Sequence, residues 1–227
     1  MRNTLRILSR RILARTPLRR FLFPRYQYSF TPSQLGFMVD TLIDSLQHTG
    51  DVIEVGCFVG ATTVFLNAEI QRRDPERRYI AIDTFSGFVS EDLEYETSVR
   101  GKRRQDIDDC LFRMNSQKWF DYTMRLNGYR NVTSLKADVN QLDFDLVTKQ
   151  VAFALIDVDF QRPVSAALDA LYPKLAPGGT ILVDDCKANT TYDGALLAYE
   201  SFCSKHKLPP TIAADKIGII RKEVDQA

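Results

Sequence analysis

Histidine is scarce in this chain: of 227 residues, only His48 and His206 carry an imidazole. Both lie where helices are expected to end, so histidine-based zinc sites and Ser-His-Asp triads are poorly supplied. Cysteine is also sparse. Cys57, Cys110, Cys186 and Cys203 show no C-x-x-C spacing. No uninterrupted apolar h-region before a small-residue cleavage site marks a secretory signal, and the four read as reduced thiols. No apolar run reaches eighteen residues, which argues against a spanning helix. The G-x-G-x-x-G fingerprint of dinucleotide binding is missing, and so are internal repeats and low-complexity linkers.

Acids are absent from the first 39 residues; Asp40 is the first. Eight arginines precede it, from Arg2 to Arg25. The net charge of +1 therefore conceals a body with twenty-two bases against twenty-nine acids. Residues 1–30 form a basic arm with Leu5, Leu8 and Ile12 at helical spacing. Such an arm suits a helix packed on its own domain or on a dimer mate. It also suits peripheral contact with an anionic membrane, docking on a partner, or an organelle transit peptide. An acidic body with its bases in one short arm disfavours nucleic acid as a partner. The expected location is cytoplasmic, with membrane association through the arm.

What remains is an ordinary globular composition, 44% apolar and 26% charged, long enough for one domain over 31–227. "TPSQLGFMVDTLIDSLQ" opens as a helix, with Pro32 in its first turn. "DVIEV", "RYIAID", "NVTSLKAD", "VAFALIDVD" and "GGTILVDD" read as strands. Helices are expected between most of them, including "RPVSAALDALYPKLAPGG", and another over about 192–206. "PTIAAD" and "KIGIIRK" form a closing strand pair. Continuous apolar strands alternating with helices predict an α/β, doubly wound, mostly parallel sheet buried on both faces. The charge-dense stretch from about 86 to 130 reads as a lid-like insertion.

Ligands of such sheets bind beyond the carboxyl ends of the strands. Those ends carry Glu54, Asp83, Asp138, Asp157 and Asp184. The first loop, Glu54-Val-Gly56-Cys-Phe-Val-Gly60, puts an acid before its glycines, which suits an ammonium better than a diphosphate. Asp83 is placed to accept from ribose hydroxyls, and Asp138 from an adenine edge or an amine. Singly, each acid can be a helix cap or a solvated loop residue. Together they point to S-adenosylmethionine. Asp157, Asp184 and Asp185 fall on neighbouring strand ends, where like charges need a neutralising partner. Carboxylates without imidazole or thiolate favour a hard cation, Mg²⁺ first.

"VIEVGCFVGATT", "AIDTFSGF", "LIDVDF", "ALYPKLAPGGTILVDD" and "DKIGIIRK" resemble the macrocin O-methyltransferase family of class I S-adenosylmethionine enzymes. The resemblance runs from about residue 26 to 222. It implies a seven-stranded sheet with an antiparallel closing strand, and metal-dependent methyl transfer to a hydroxyl of a sugar, natural product or glycan. It also makes a homodimer plausible. On it, Asp157, Asp184 and Asp185 match the magnesium ligands, and Glu54, Gly56, Asp83 and Asp138 match cofactor-binding positions. Two departures stand out. The usual D-G-D is Asp157-Val158-Asp159, and Gly194-Ala195-Leu196 lacks the basic group often found at that helix start.

Asp157 and Asp159 are the catalytic candidates, Asp159 as general base because the period of two in a strand would aim both to one side. Lys187 is a weaker candidate. Two other readings compete: a nicotinamide-dependent oxidoreductase on the same kind of sheet, and a cofactor-binding scaffold without catalysis.

Overall fold

Alternating apolar runs and amphipathic segments build one seven-stranded sheet covered by helices. The computed structural model describes residues 7, 12–17, 26–108 and 110–223, for residues 110 and 111 the backbone alone. The basic arm, with its expected helix and its membrane or partner contact, lies largely outside the described residues.

Helix α1, Pro32–Ser45, begins in a capping box. Gln34 N donates to Thr31 Oγ1, and Thr31 N donates to Gln34 Oε1 at 2.8 Å, satisfying two N–H groups the helix cannot pair itself. Strand β1, Asp51–Val55, follows, then α2, Ala61–Arg73, and β2, Tyr79–Asp83. The charge-dense segment folds as α3, Ser90–Ser98, two single-turn helices α4, Arg104–Ile107, and α5, Cys110–Arg113, and then α6, Gln117–Asn127. Strand β3 is Val132–Lys136 and β4 is Val151–Ile156. Helix α7, Gln161–Leu171, leads to β5, Leu175–Val183. Helix α8, Gly194–His206, leads to β6, Thr211–Ala213, and β7, Ile217–Arg221.

The strand order is β3-β2-β1-β4-β5-β7-β6, with β7 antiparallel to both neighbours and the other pairs parallel. This is the doubly wound sheet with a reversed closing strand expected from the sequence. The chain runs outward from β1 to β3 and returns at β4, so the switch point lies between β1 and β4.

Two apolar layers sandwich the sheet. On one face Ile53, Val55 and Ile156 meet Leu168 of α7 and Phe202 of α8. On the other, Val52 and Leu155 meet Met38 of α1 and Leu66 of α2. Each fully buried aliphatic side chain contributes about 2 kcal/mol relative to leaving it in water. Every residue of β4 is buried, as its continuous apolar run requires.

One boundary departs from the sequence reading. The helix expected to run through "LYPKLAPGG" stops at Leu171, and Tyr172–Lys174 form a 3₁₀ turn around Pro173. A proline has no N–H to continue the ladder. "LAPGG" enters the sheet instead, through a register break: Val151 faces Leu175, whereas Phe153 faces Thr180.

Candidate functional site

Backbone pairing carries on past the parallel strands and aligns their ends into one rim. Gly56 N donates to Ile82 O at 2.8 Å, Asp157 N to Val55 O at 2.7 Å, and Asp184 N to Ile156 O at 2.9 Å. Above this rim, at the switch point, lies a cavity of about 420 Å³.

The β1–α2 loop forms its near wall. Gly56 has φ +88°, and a Cβ there would stand 1.8 Å from the Asp157 carbonyl oxygen, so only glycine lets the loop cross β4. Gly60, also at φ +88°, begins α2 where a Cβ would meet Met124 and Phe120 of α6. Asp83 ends β2 and takes the loop's free donors: Cys57 N at 3.0 Å and Phe58 N at 2.8 Å reach Oδ2, and Phe85 N at 2.7 Å reaches Oδ1. Burial raises the Asp83 pKa, opposed by these three N–H groups.

Glu54 stands apart from the cavity wall. It is 1% exposed, and its Oε2 accepts from Thr63 and from Tyr79 OH at 2.8 Å. Its Oε1 is buried without a hydrogen-bond partner among the described residues. Burial lifts its pKa to about 7, against the two hydroxyls that lower it. Of the positions expected to hold a cofactor, the cavity is lined by Gly56, Asp83 and Asp138, and not by Glu54 or Gly60. Asp138 accepts from Asn140 N and Nδ2, both at 2.9 Å. The same amide donates to Asp92, an acid of α3 that sequence reasoning passed over, again at 2.9 Å.

The far rim gathers Asp157, Asp159, Asp184 and Asp185. The reason differs from the one expected. Strand β4 ends at Ile156, so Asp159 reaches the rim by a turn at φ +64° and not by strand periodicity. Asp185, at φ +56°, likewise leaves β5 through a left-handed turn. Burial, then the neighbouring carboxylates, pushes Asp157 and Asp159 well above the usual carboxylate range. Asp184 rises to about 6 for the same reasons, and its Oδ1 is buried without a hydrogen-bond partner among the described residues.

A cation already sits among them. Lys216 Nζ donates to Asp184 Oδ2 at 2.8 Å and to Asp185 Oδ1 at 2.7 Å. Burial disfavours this ammonium, but the two carboxylates outweigh it and raise its pKa above the ordinary lysine value. Sequence reasoning missed Lys216. The signal was its place at the head of the closing strand, which runs antiparallel and therefore starts at the rim. Lys187, the lysine considered instead, pairs with Asp215 at 2.7 Å and does not line the cavity.

The four carboxylates are hard oxygen donors, as Mg²⁺ would require. Their arrangement does not fit it. Lys216 bonds one oxygen of each of two of the three expected ligands, and no three acidic, histidine or cysteine side chains among the described residues are grouped to hold a metal ion. The Mg²⁺ expectation is therefore not supported.

The segment 86–130 also lines the cavity, through Phe88, Asp92 and Phe112 among others. Phe88 stacks on Phe160 with ring centroids 4.2 Å apart, and Phe112 packs against Phe88. Arg100 bonds Glu96 within α3 and reaches Asp193 at 2.6 Å, and Glu96 accepts from Gln161 N of α7 at 3.0 Å. A Cβ on Gly194 would lie 2.6 Å from Arg100 Nη1. Arg100 thus stands against the start of α8 but does not line the cavity.

The family model Macrocin-O-methyltransferase (TylF) matches residues 33–222. The chain belongs to this family. A curated relative, the 8-demethyl-8-(2,3-dimethoxy-alpha-L-rhamnosyl)-tetracenomycin-C 4'-O-methyltransferase of Streptomyces olivaceus, is 25% identical over 146 residues, covering 60% of this chain. The match spans about half of that relative, 52% of its length. Among solved structures, the O-methyltransferase NovP superposes with TM-score 0.68 at 16% identity, covering 84% of this chain and 80% of NovP. The calicheamicin methyltransferase CalS11 superposes with TM-score 0.63 at 19% identity, covering 96% and 91%. Both likenesses establish the fold. Members of this family are O-methyltransferases, and the cavity sits where such a sheet holds its ligand.

Proposed function

We propose that the chain transfers a methyl group from S-adenosylmethionine to a hydroxyl of a sugar, natural product or glycan. The carrying observation is the charge of the cavity: of its described lining residues seven are carboxylates, and Lys216 alone is basic. S-adenosylmethionine brings a sulfonium and an ammonium, which this field favours, whereas a diphosphate would be repelled. Asp83 also takes the two loop N–H groups that a diphosphate would need, which disfavours the nicotinamide reading.

On this reading Asp83 and Asp138 face the nucleoside from the β2 and β3 side, and Gly56 gives it backbone contact. When bound, the cofactor supplies an already activated, electrophilic methyl. The protein's task is to hold an acceptor oxygen behind that methyl and to take its proton; alignment of this kind is worth several orders of magnitude in rate. As the O–C bond forms, the S–C electron pair stays on sulfur and the hydroxyl proton passes to a carboxylate. Asp159 is the assigned base, because it lines the cavity at the far rim beside Asp157 and Asp185. The segment 86–130 covers the acceptor, with Phe88 and Phe160 offering ring faces to its apolar side. No divalent ion enters this reading.

The test is calorimetric titration of S-adenosylhomocysteine into the full chain with NADH as competitor, followed by transfer of labelled methyl to a panel of hydroxylated sugars and glycosides. Micromolar binding untouched by NADH, with label incorporated, supports the reading. No binding under any condition overturns it and leaves the scaffold alternative.

A further inference from the structure

The acidic rim carries its own counter-ion. Lys216 is held there by its backbone as well as its charge: its carbonyl accepts from Cys186 N at 2.8 Å, one residue past the Asp184–Asp185 pair. Its ammonium lies 5.1 Å from the centroid of the Phe30 ring, and its side chain is only 23% exposed. Both carboxylates are thus bonded at 2.7–2.8 Å by a group that cannot rotate away without leaving the buried Asp184 and the half-buried Asp185 without it. A magnesium ion on this pair, whether through those oxygens or through Asp184 Oδ1, which has no hydrogen-bond partner among the described residues, needs its oxygens at about 2.1 Å in a near-octahedral shell. It would have to displace the lysine into solvent or accept a like charge at contact distance.

We propose that Lys216 is the resident cation of this site, holding Asp184 and Asp185 in position, and that it excludes divalent ions from the pair. The inference rests on reading the cavity as a methyl-transfer site. It deepens that reading by changing what the acceptor needs. A metal ion would chelate the acceptor and acidify its hydroxyl. An ammonium donates hydrogen bonds but opens no coordination position, so the proton goes directly to a carboxylate and no vicinal second oxygen is required for chelation. Acceptors with an isolated hydroxyl fit as well as those with an adjacent pair. Lys216 acts through the aspartates and is a positioning residue.

The experiment titrates Mn²⁺, followed by the loss of its free-ion paramagnetic resonance signal, into the full-length wild type, Lys216→Ala and Lys216→Arg. Wild type and Lys216→Arg are expected to leave the ion free. Lys216→Ala should bind it at least about tenfold more tightly, the scale on which groups beside a metal site change its affinity. S-adenosylhomocysteine titrated into the same three proteins establishes that each is folded and judges the methyltransferase reading separately. Stoichiometric Mn²⁺ binding by the wild type overturns the proposal. So does a folded Lys216→Ala protein that gains no affinity for the ion.

Discussion

Two acids on neighbouring strands show how differently one residue type can be used. Asp83 is a charge-assisted acceptor for three backbone N–H groups. Asp83→Asn removes that charge while keeping the shape. Hydrogen bonds to charged groups are worth about 1.5–3 kcal/mol, so calorimetry should show S-adenosylhomocysteine affinity reduced by about ten- to a hundredfold. Glu54 is buried, with only its Oε2 bonded, and its pKa stands at about 7 against an ordinary 4.5. The native protein therefore binds a proton there that the unfolded chain releases. The resulting stability is complete below pH 4.5, shrinks as pH rises toward 7, and is lost above it. Glu54→Gln should remove about 3 kcal/mol of pH dependence between those limits, read as a smaller difference between urea midpoints at pH 5 and pH 8.

At the scale of elements, the strand order and the reversed β7 were legible because each strand is an uninterrupted apolar run bounded by turns. The acids on the rim were legible for the same reason: where a buried strand's apolar run stops, the next polar residue stands at the sheet's edge. Lys216 was not. Its contact with Asp184 joins positions 32 residues apart across an antiparallel pair, and no local pattern encodes it. Nor could periodicity place Asp159, which sits beyond the strand in a left-handed turn. Asp92 of α3 and Arg100 just beyond that helix, within a segment dense in charge, gave no sign of which charges turn inward. In Arg100→Met, Glu96 would be left buried without its cation, while Asp193 keeps Lys102 at 2.6 Å. Losing one partner of a buried pair costs about 3–5 kcal/mol, here confined to the insertion. Hydrogen exchange should accelerate together in α3 and at the start of α8, while β1 and β4 stay protected. Gly56→Ala should act on the sheet itself. Its Cβ would collide with the Asp157 carbonyl in a backbone conformation that disfavours alanine. Urea unfolding should show a loss above about 3 kcal/mol, as expected when steric clash and backbone strain coincide.

The whole molecule is organised around the gap between β1 and β4. Asp83 approaches that gap from one half of the sheet, and Asp157 and Asp184 from the other. A ligand spanning them ties the halves together and stabilises the native state by mass action. At a hundredfold excess over its dissociation constant, S-adenosylhomocysteine should add about 2.7 kcal/mol. In a chain of this size that is a rise of about 5–10 °C in thermal midpoint. NADH at equal concentration should produce no shift.

The reversal of β7 also has a consequence for synthesis. Because that strand runs against its neighbours, it brings Lys216 to the rim at its start, from a position late in the chain. Strands β1 to β4, whose ends bring Asp83 and Asp157 to the cavity, are all synthesised before this lysine. The acidic pair just past β5 then waits without its lysine until the final hairpin folds back. A nascent chain halted before residue 216 would therefore lack the cation that bonds Asp184 and Asp185. Translation itself orders the two halves of the site in time.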